Sequence, residues 1–165
     1  MSGDIRTDQR SVIHPYTEAD MLLTIEKVAI LEGVDIFANT PNYILASIAA
    51  ILEEITLYPG ETFIEEGAIE DSMYIVVEGE VQVHSQGKPI TKYGPGKSVG
   101  ELAVLDPEPR SASVSAIDDA FLFRIDKEPF DEVMADRPEV AQAVITSLCR
   151  RIRDQGRKLA DTGIT

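Results

Sequence analysis

The spacing of hydrophobic residues changes along the chain and divides it into four segments. Residues 1–16 are polar and show no regular spacing, which predicts a flexible N-terminus. In residues 17–53 apolar side chains recur every three or four positions, which predicts helices. Residues 54–126 contain short stretches in which apolar and polar positions alternate between glycines, which predicts strands and turns. The helical spacing returns in residues 127–160, so a β region lies between two helical segments.

Capping residues and prolines predict where the helices begin and end. The first helix is predicted to start at Thr17, and the second to have Thr40 as its N-cap and Pro41 as its first residue. A third helix follows Asp126, and the chain breaks before Pro138, where the last helix begins.

The last helix has an apolar stripe along one side. The stripe consists of Val140, Val144 or Ile145, Leu148, Ile152 and Leu159. Five basic residues lie between Arg150 and Lys158. An amphipathic helix that protrudes from a domain needs a partner surface, which favours a homodimer through this helix.

The clearest β stretch is "MYIVVEGEVQVH", residues 73–84. Its apolar residues alternate on both sides of Glu78 and Gly79, which predicts a β-hairpin with its turn at these two residues. Many short strands with regular turns indicate a sandwich or a barrel, most simply a jelly roll. We therefore predict an α+β domain that is mainly β: an eight-stranded antiparallel jelly-roll barrel with N-terminal helices and two C-terminal helices.

Charge and composition narrow the class of protein. The chain has 165 residues and a net charge of −14, which argues against a nucleic-acid partner because phosphate backbones are bound mainly by Lys and Arg. The N-terminal residues lack the apolar region of a signal peptide, and the longest apolar run, "YILASIAAIL", is too short to cross a bilayer. We expect a cytoplasmic protein of one domain without direct membrane insertion. The single cysteine, Cys149, is expected to be a small core or interface residue.

The stretch "SVGELAVLDPEPRSASVSA", residues 98–116, contains the groups needed to hold an anion. Gly100 precedes five residues with helical propensity, and the N–H groups at the start of such a turn favour a negative charge. Arg110 returns after a bend with two prolines and can donate two hydrogen bonds to one anion, helped by Ser111. Alternatively, Arg110 is a salt-bridge partner of Glu101 or Asp106, and Glu101 only starts a helix.

The segment "GELAVLDPEPRSASV" resembles the phosphate-binding cassette of the cyclic nucleotide-binding domain family. The resemblance extends from about Phe37 to Arg153 and rests on the Gly-Glu-Leu-Ala pattern followed, after a short bend, by Arg-Ser-Ala. Glycines that resemble those between the family's barrel strands are Gly60, Gly67, Gly79, Gly94 and Gly96. The cassette, taken here as residues 99–113, is then expected to contain a short helix.

The resemblance implies a role for each matching residue. Glu101 would accept a hydrogen bond from the ribose 2′-OH, and Arg110 would pair with the oxygens of the cyclic phosphate. Further contacts implied for the phosphate, sugar and base come from Val99, Gly100, Leu102, Ala103, Ser111 and Ala112, with Val81 or Val83 from the barrel.

The same resemblance implies how binding is transmitted. Phe130, in the helix after the barrel, would pack differently once the cassette tightens around the ligand. The last helix would fold over the base as a lid, with Arg151, Arg153 and Gln155 in the stretch that contacts it.

The predicted function is therefore that of a sensor or regulatory domain that binds a cyclic mononucleotide and moves its C-terminal helices. By resemblance, Ser111 favours cAMP over cGMP. We expect no catalytic residues, no metal and no cofactor other than the ligand; His14 and His84 are the only histidines, too few for the metal site of a cupin. The lead-in "MLLTIEKVAILEGVDIF" resembles that of bacterial members that stand alone or are attached to membrane transporters, so an effector or transporter partner is a further expectation. The alternative is a dimerisation or protein-interaction module that binds no nucleotide.

Overall fold

The structure is a computed structural model, and it describes residues 23–163. Before the first strand lie helix α1 (Thr24–Glu32), a 3-10 helix (Asp35–Phe37) and helix α2 (Asn42–Ala49). The predicted start of the first helix at Thr17 lies outside the described residues.

The N-cap prediction for the second helix was wrong by one residue. The N-cap is Pro41 rather than Thr40, and no side chain caps the helix. Thr40 is buried and its Oγ1 has no hydrogen-bond partner, so its side chain turns toward the core.

Eight strands follow in the described part of the chain. They are β1 (Glu53–Leu57), β2 (Thr62–Ile64), β3 (Ser72–Glu78), β4 (Val81–Ser85), β5 (Lys88–Tyr93), β6 (Ser98–Val99), β7 (Ser113–Ala116) and β8 (Ala120–Asp126). They form two four-stranded antiparallel sheets, with the strand orders β1-β8-β3-β6 and β2-β7-β4-β5.

The predicted closed barrel is not formed by the described residues. Strands pair only within their own sheet, and each sheet keeps two edge strands, so the molecule is an antiparallel β-sandwich. The alternating pattern predicts strands with one buried face but carries no information about whether the last strand pairs with the first.

The predicted hairpin over residues 73–84 was also wrong. Strand β3 pairs with β8 and β6, whereas β4 pairs with β5 and β7, so the chain crosses from one sheet to the other at Gly79. Gly79 has a φ of +83°, and a Cβ there would lie 2.4 Å from the carbonyl oxygen of Asp119. A crossover between sheets and a hairpin both place alternate side chains in the interior, which is why the pattern did not separate them.

Two apolar clusters give the molecule three layers. Met73, Ile75 and Phe123 belong to a cluster with residues of the helices, whereas Val76 and Leu122 belong to a second cluster between the two sheets. Strands β3 and β8 are therefore covered on both faces, by helices on one side and by the second sheet on the other.

The chain ends in helices α3 (Lys127–Asp136) and α4 (Pro138–Asp161). Phe130 of α3 is fully buried and packs edge-on against Phe37, with ring centroids 6.2 Å apart. The first half of α4 packs on the domain, while residues 152–163 are exposed. Cys149 was expected to be a core or interface residue; it is exposed, so it does not belong to the core, and a place in an interface stays a prediction. Within residues 23–163 no helix has the length and apolar character needed to span a membrane.

Candidate functional site

The cassette begins where strand β6 ends at Val99 and continues as a series of turns. Gly100 has a φ of +71°, and hydrogen bonds run from Ala103 N–H to the oxygen of Gly100 (3.0 Å) and from Asp106 N–H to the oxygen of Leu102 (2.7 Å). The predicted short helix is not formed, and residues 101–105 are turns instead. The segment lies between a left-handed glycine and Pro107, which leaves too few residues to offset the cost of starting a helix.

Arg110 is held in the interior by its own backbone. Its N–H donates to the oxygen of Ala68 (2.9 Å) and its carbonyl accepts from Gly67 N–H (2.8 Å), which fixes this stretch against residues 67–68. Its side chain enters the domain from there, and the whole residue is only 8% exposed. The backbone therefore delivers a positive charge to a site that water hardly reaches.

The guanidinium of Arg110 is only partly satisfied. Nη2 donates to the backbone oxygen of Ser72 at 2.6 Å, and the Glu70 carboxylate lies 3.6 Å from the same nitrogen. The Nε atom is buried and has no hydrogen-bond partner. Neither Glu101 nor Asp106 is the counter-ion, so the sequence-based alternative of those two salt bridges was wrong.

Gly100 makes the close approach of Arg110 feasible. A Cβ at residue 100 would lie 2.4 Å from Nη1 of Arg110, which is shorter than any ordinary contact. The positive φ is a second reason for glycine, since other residues adopt it at a cost.

Glu101 is turned toward the C-terminal helix. Its Oε1 accepts a short hydrogen bond from Nη1 of Arg151 in α4, whose Nη2 donates to Asp35 in the 3-10 helix at 3.2 Å. Burial lowers the pKa of Arg151, but the charge of Glu101 and the hydrogen bonds to Glu101 and Asp35 outweigh it, so the net pKa is raised. The guanidinium stays protonated, and the side chain predicted to bind a sugar hydroxyl already holds one partner.

Two cavities that share four lining residues lie at the cassette. The inner one, of about 220 Å³, opens between the sheets and is lined by Ile64, Val83, Tyr93, Ser98, Val99, Gly100, Glu101, Arg110, Ser111, Ala112 and Val114. The outer one, of about 520 Å³, shares Gly100, Glu101, Arg110 and Ser111 with it and extends over the cassette turns to Leu148 of α4. A small amphipathic ligand with an anionic end fits this combination of an apolar chamber and one buried cation.

Most of the cassette residues singled out from the sequence line these two cavities. Leu102 and Ala103 line the outer cavity, although the Ala103 N–H is already bonded to Gly100. Val81 is fully buried and lines neither cavity, so of the two barrel candidates only Val83 lies there.

The predicted lid residues lie apart from the two cavities. Arg153 is exposed, and Gln155 lines a separate polar cleft that also contains Arg151. Arg151 reaches the cassette through its ion pair with Glu101.

Sequence reasoning missed Glu70, Ser72 and Asp35. Ser72 and Glu70 contact Arg110 of the cassette, and Asp35 contacts Arg151 of α4. They lie 38 to 116 residues from these partners, so no local pattern connects them. Among residues 23–163 no group of three or more His, Cys, Asp or Glu side chains could hold a metal ion.

Comparison with known proteins gives the family. The family model described as the cyclic nucleotide-binding domain matches residues 54–137, just over half of the chain. The chain belongs to the cyclic nucleotide-binding domain family. The matched range contains every strand from β2 to β8 and the whole cassette.

Two curated relatives of this cyclic nucleotide-binding domain are regulatory proteins. The CRP-like cAMP-activated global transcriptional regulator of Mycobacterium tuberculosis is 29% identical over 137 residues, which are 80% of this chain and 61% of the regulator. The cAMP-dependent protein kinase regulatory subunit of Aspergillus fumigatus is 36% identical over 108 residues, which are 64% of this chain and 26% of the subunit. The chain thus spans less than two thirds of the length of either relative.

A solved structure supports the same assignment. The N-terminal domain of a transcriptional regulator from Streptomyces coelicolor A3(2) superposes with a TM-score of 0.72 at 30% identity, covering 79% of this chain and 94% of that domain. The cyclic nucleotide-binding domain described here therefore has the fold of this family's regulatory proteins.

Proposed function

We propose that this domain is a sensor that binds a cyclic mononucleotide at the cassette, with cAMP preferred over cGMP. The observation that carries the proposal is the side chain of Arg110, which lines the inner cavity, is almost fully buried, and has an Nε without an acceptor. A buried unsatisfied donor on a charged group is costly, and an anionic ligand oxygen would satisfy it.

The proposed binding mode divides the ligand between two charges. The cyclic phosphate lies at Arg110 with Ser111 and the backbone N–H groups of the cassette, and the ribose 2′-OH donates to Glu101. Val83 and Val99 contact the sugar and base from the inner cavity. Because Glu101 accepts but does not donate, it favours a ligand that brings a hydroxyl and disfavours a bare anion.

The preference for cAMP has two supports. Ser111 lines both cavities, and it is serine rather than the threonine that the family resemblance associates with cGMP. The names of the relatives from Mycobacterium tuberculosis and Aspergillus fumigatus both refer to cAMP.

Calorimetry and thermal shift with cAMP, cGMP and linear AMP test the proposal. We expect a cyclic nucleotide to raise the melting temperature in a concentration-dependent manner. Arg110→Ala should weaken binding by about 1.5–3 kcal/mol or more, because a charged hydrogen-bonding partner is removed.

Arg157→Ala serves as the matched control, because Arg157 is exposed and its ion pair is with Asp154 of the same helix. The affinity of the Arg157→Ala variant for the cyclic nucleotide should equal that of the unmodified chain. Absence of any stabilisation by either cyclic nucleotide at millimolar concentration would refute the sensor and favour the interaction module.

A second candidate function is dimerisation through α4, alone or as the output of the sensor. Ile145, Ile152 and Leu159 are 52%, 68% and 51% exposed and recur every seven residues along the helix. A stripe with this spacing is typical of a helix that pairs with another. We propose a homodimer through this stripe, with an effector or transporter as the alternative partner.

We further propose that the domain has no catalytic activity, no cofactor other than the ligand and no nucleic-acid partner. A net charge of −14 supports the absence of a nucleic-acid partner, and the regulatory relatives support a role without catalysis. A cytoplasmic location is a further part of the proposal, and the free thiol of the single cysteine is compatible with it. The two strand orders support a jelly-roll winding of the sandwich.

A further inference from the structure

The residues around the two cavities at the cassette supply one positive charge and several negative ones. Among the described residues that line these cavities, Arg110 is the only cation. Glu101 lines both cavities, and Asp106 and Glu108 line the outer one. Glu101 is paired with Arg151, which lines neither cavity. An anion in this site therefore meets a single cation in acidic surroundings.

Glu70 offsets the charge of Arg110 without lining either cavity. Its Oε2 lies 3.6 Å from Nη2 of Arg110, and the two side chains are 34% and 7% exposed. Ser72, whose backbone oxygen accepts from the same Nη2, does not line the cavities either. Because the unsatisfied atom of the guanidinium is Nε, a ligand oxygen could bind there without displacing Glu70.

The neighbouring Tyr74 adds no charge to this pair. Its phenol interacts with both Glu70 and Arg110, and burial raises its pKa above the ordinary value. The hydroxyl is therefore neutral in the range in which phosphate groups titrate. Arg124 and Asp126 also act on Tyr74, but they form an ion pair with each other at 3.0 Å. Within this group, Glu70 is the residue that balances Arg110.

A fixed negative charge behind Arg110 acts unequally on phosphates of different ionisation. A cyclic phosphodiester carries one negative charge, whereas a phosphomonoester carries nearly two above its second pKa of about 6. Coulomb repulsion is proportional to the charge of the ligand and is stronger near a buried group than in water. The partial exposure of Glu70 screens this repulsion but does not remove it.

We propose that Glu70 makes the site selective for a singly charged phosphodiester over a doubly charged phosphomonoester. It is a specificity-determining residue that acts through the charge of Arg110 and not by contact with the ligand. The inference rests on the proposed function and deepens it, because the cyclic phosphate is then recognised by its charge as well as its shape. Linear AMP, which has the same base and sugar as cAMP, is disfavoured on this ground.

Three ligands with the same base and sugar separate charge from shape. They are cAMP, linear AMP and the 5′-phosphate methyl ester of AMP, which is linear but carries one charge. Calorimetry at pH 8 compares the unmodified chain with Glu70→Gln, which removes the charge and keeps the size of the side chain. We expect Glu70→Gln to strengthen binding of cAMP and of the methyl ester by about threefold and binding of AMP by about tenfold, because doubling the ligand charge squares the fold-change.

Glu65→Gln is the matched control. It removes the same charge from the same loop between β2 and β3, at an exposed residue that lines neither cavity. The three affinities should change by less than about twofold. Melting temperatures without ligand report on the folding of both variants.

A pH series on the unmodified chain tests the inference without any substitution. As the pH falls from 8 to 5.5, the phosphate of AMP takes up a proton and its charge approaches that of cAMP. The affinity for AMP should therefore rise relative to that for cAMP. In Glu70→Gln the same rise should be smaller, because less repulsion is relieved.

Different outcomes separate the two proposals. If Glu70→Gln changes all three affinities by the same factor, Glu70 acts on the position of Arg110 and the inference is refuted. It is also refuted if the methyl ester follows AMP instead of cAMP, or if the affinity ratio of AMP to cAMP does not depend on pH. A chain that binds cAMP and gives one of these results overturns the inference alone. One that binds no cyclic nucleotide overturns the proposed function as well.

Discussion

At the scale of single residues, the closeness of Gly100 and Arg110 determines the shape of the candidate site. The buried guanidinium occupies the space next to residue 100 that a side chain would otherwise fill, at a contact of 2.4 Å from Nη1 to an added Cβ. The glycine and the arginine lie ten positions apart, and the arginine has room for its guanidinium only because residue 100 has no side chain. The sequence motif is thus a packing relationship as well as a set of ligand contacts.

Gly100→Ala tests this relationship. The added methyl group should displace the Arg110 guanidinium, so we expect weaker binding of cAMP as well as a lower melting temperature. The matched control is Gly96→Ala, whose φ is similarly positive at +88° but whose added Cβ meets no atom within 4 Å. Both variants carry the backbone strain of about 1 kcal/mol, and only the first should lose affinity. Equal affinities in the two variants would count against a steric link between Gly100 and Arg110.

At the scale of elements, helix α3 is attached to both the cassette and the N-terminal helices. Lys127, its first residue, places Nζ 3.4 Å and 3.3 Å from the backbone oxygens of Val104 and Leu105. Phe130, one turn later, packs on Phe37 of the 3-10 helix. The lysine therefore attaches α3 to the cassette turns, and the phenylalanine attaches it to the 3-10 helix.

Phe130→Ala measures how firmly this helix is held. Removal of a fully buried phenylalanine leaves a cavity, and we expect the free energy of unfolding in urea to fall by about 3–5 kcal/mol. Glu132→Ala, on an exposed position of the same helix, should change it by less than about 0.5 kcal/mol. A loss below 1 kcal/mol for Phe130→Ala would mean that α3 is not anchored as the packing indicates.

The elements also show how far sequence reasoning extends. Strands and helices were predictable because alternation and helical spacing record burial directly, as in β7, where every second residue is buried. Which strands pair depends on contacts between distant residues, so the crossover at Gly79 was mistaken for a hairpin turn. At the site, the glycine and arginine of the cassette were identified as anion-binding groups from their own chemistry and then through a family resemblance. Glu70 and Asp35 were missed because nothing near them in the chain marks their partners.

At the scale of the whole molecule, α4 is divided between a packed and an exposed half. Val140, Val144 and Ser147 are buried against the domain, whereas Ile152 and Leu159 project into solvent. Burying the exposed side chains of Ile152 and Leu159 between two copies would stabilise a dimer by about 25 cal/mol for each Å² of apolar surface removed from water. Ligand binding and dimerisation would then be linked through the same helix that carries Arg151.

Light scattering of the full chain with and without cAMP tests the proposed dimer. We expect a dimer that Ile152→Gln weakens at least about tenfold, because a substantial apolar side chain is lost from the interface. Arg157→Gln introduces the same side chain on a position outside the stripe and should leave the dimer intact. A monomer at every concentration, with and without ligand, would leave the stripe to a different partner protein.

The three-layer packing of the sheets has a consequence for how the domain opens. Strands β3 and β8 are covered on both faces, so their amide hydrogens should exchange with solvent only when the whole domain unfolds. Residues 152–163 make little contact with the rest of the domain and should exchange rapidly. Arg110 donates to the backbone oxygen of Ser72 in β3. The proposed phosphate-binding arginine is therefore attached to a strand that should exchange its amide hydrogens most slowly. If the proposed sensor moves α4, ligand binding should change the hydrogen-exchange protection of α4 and leave that of β3 and β8 unchanged.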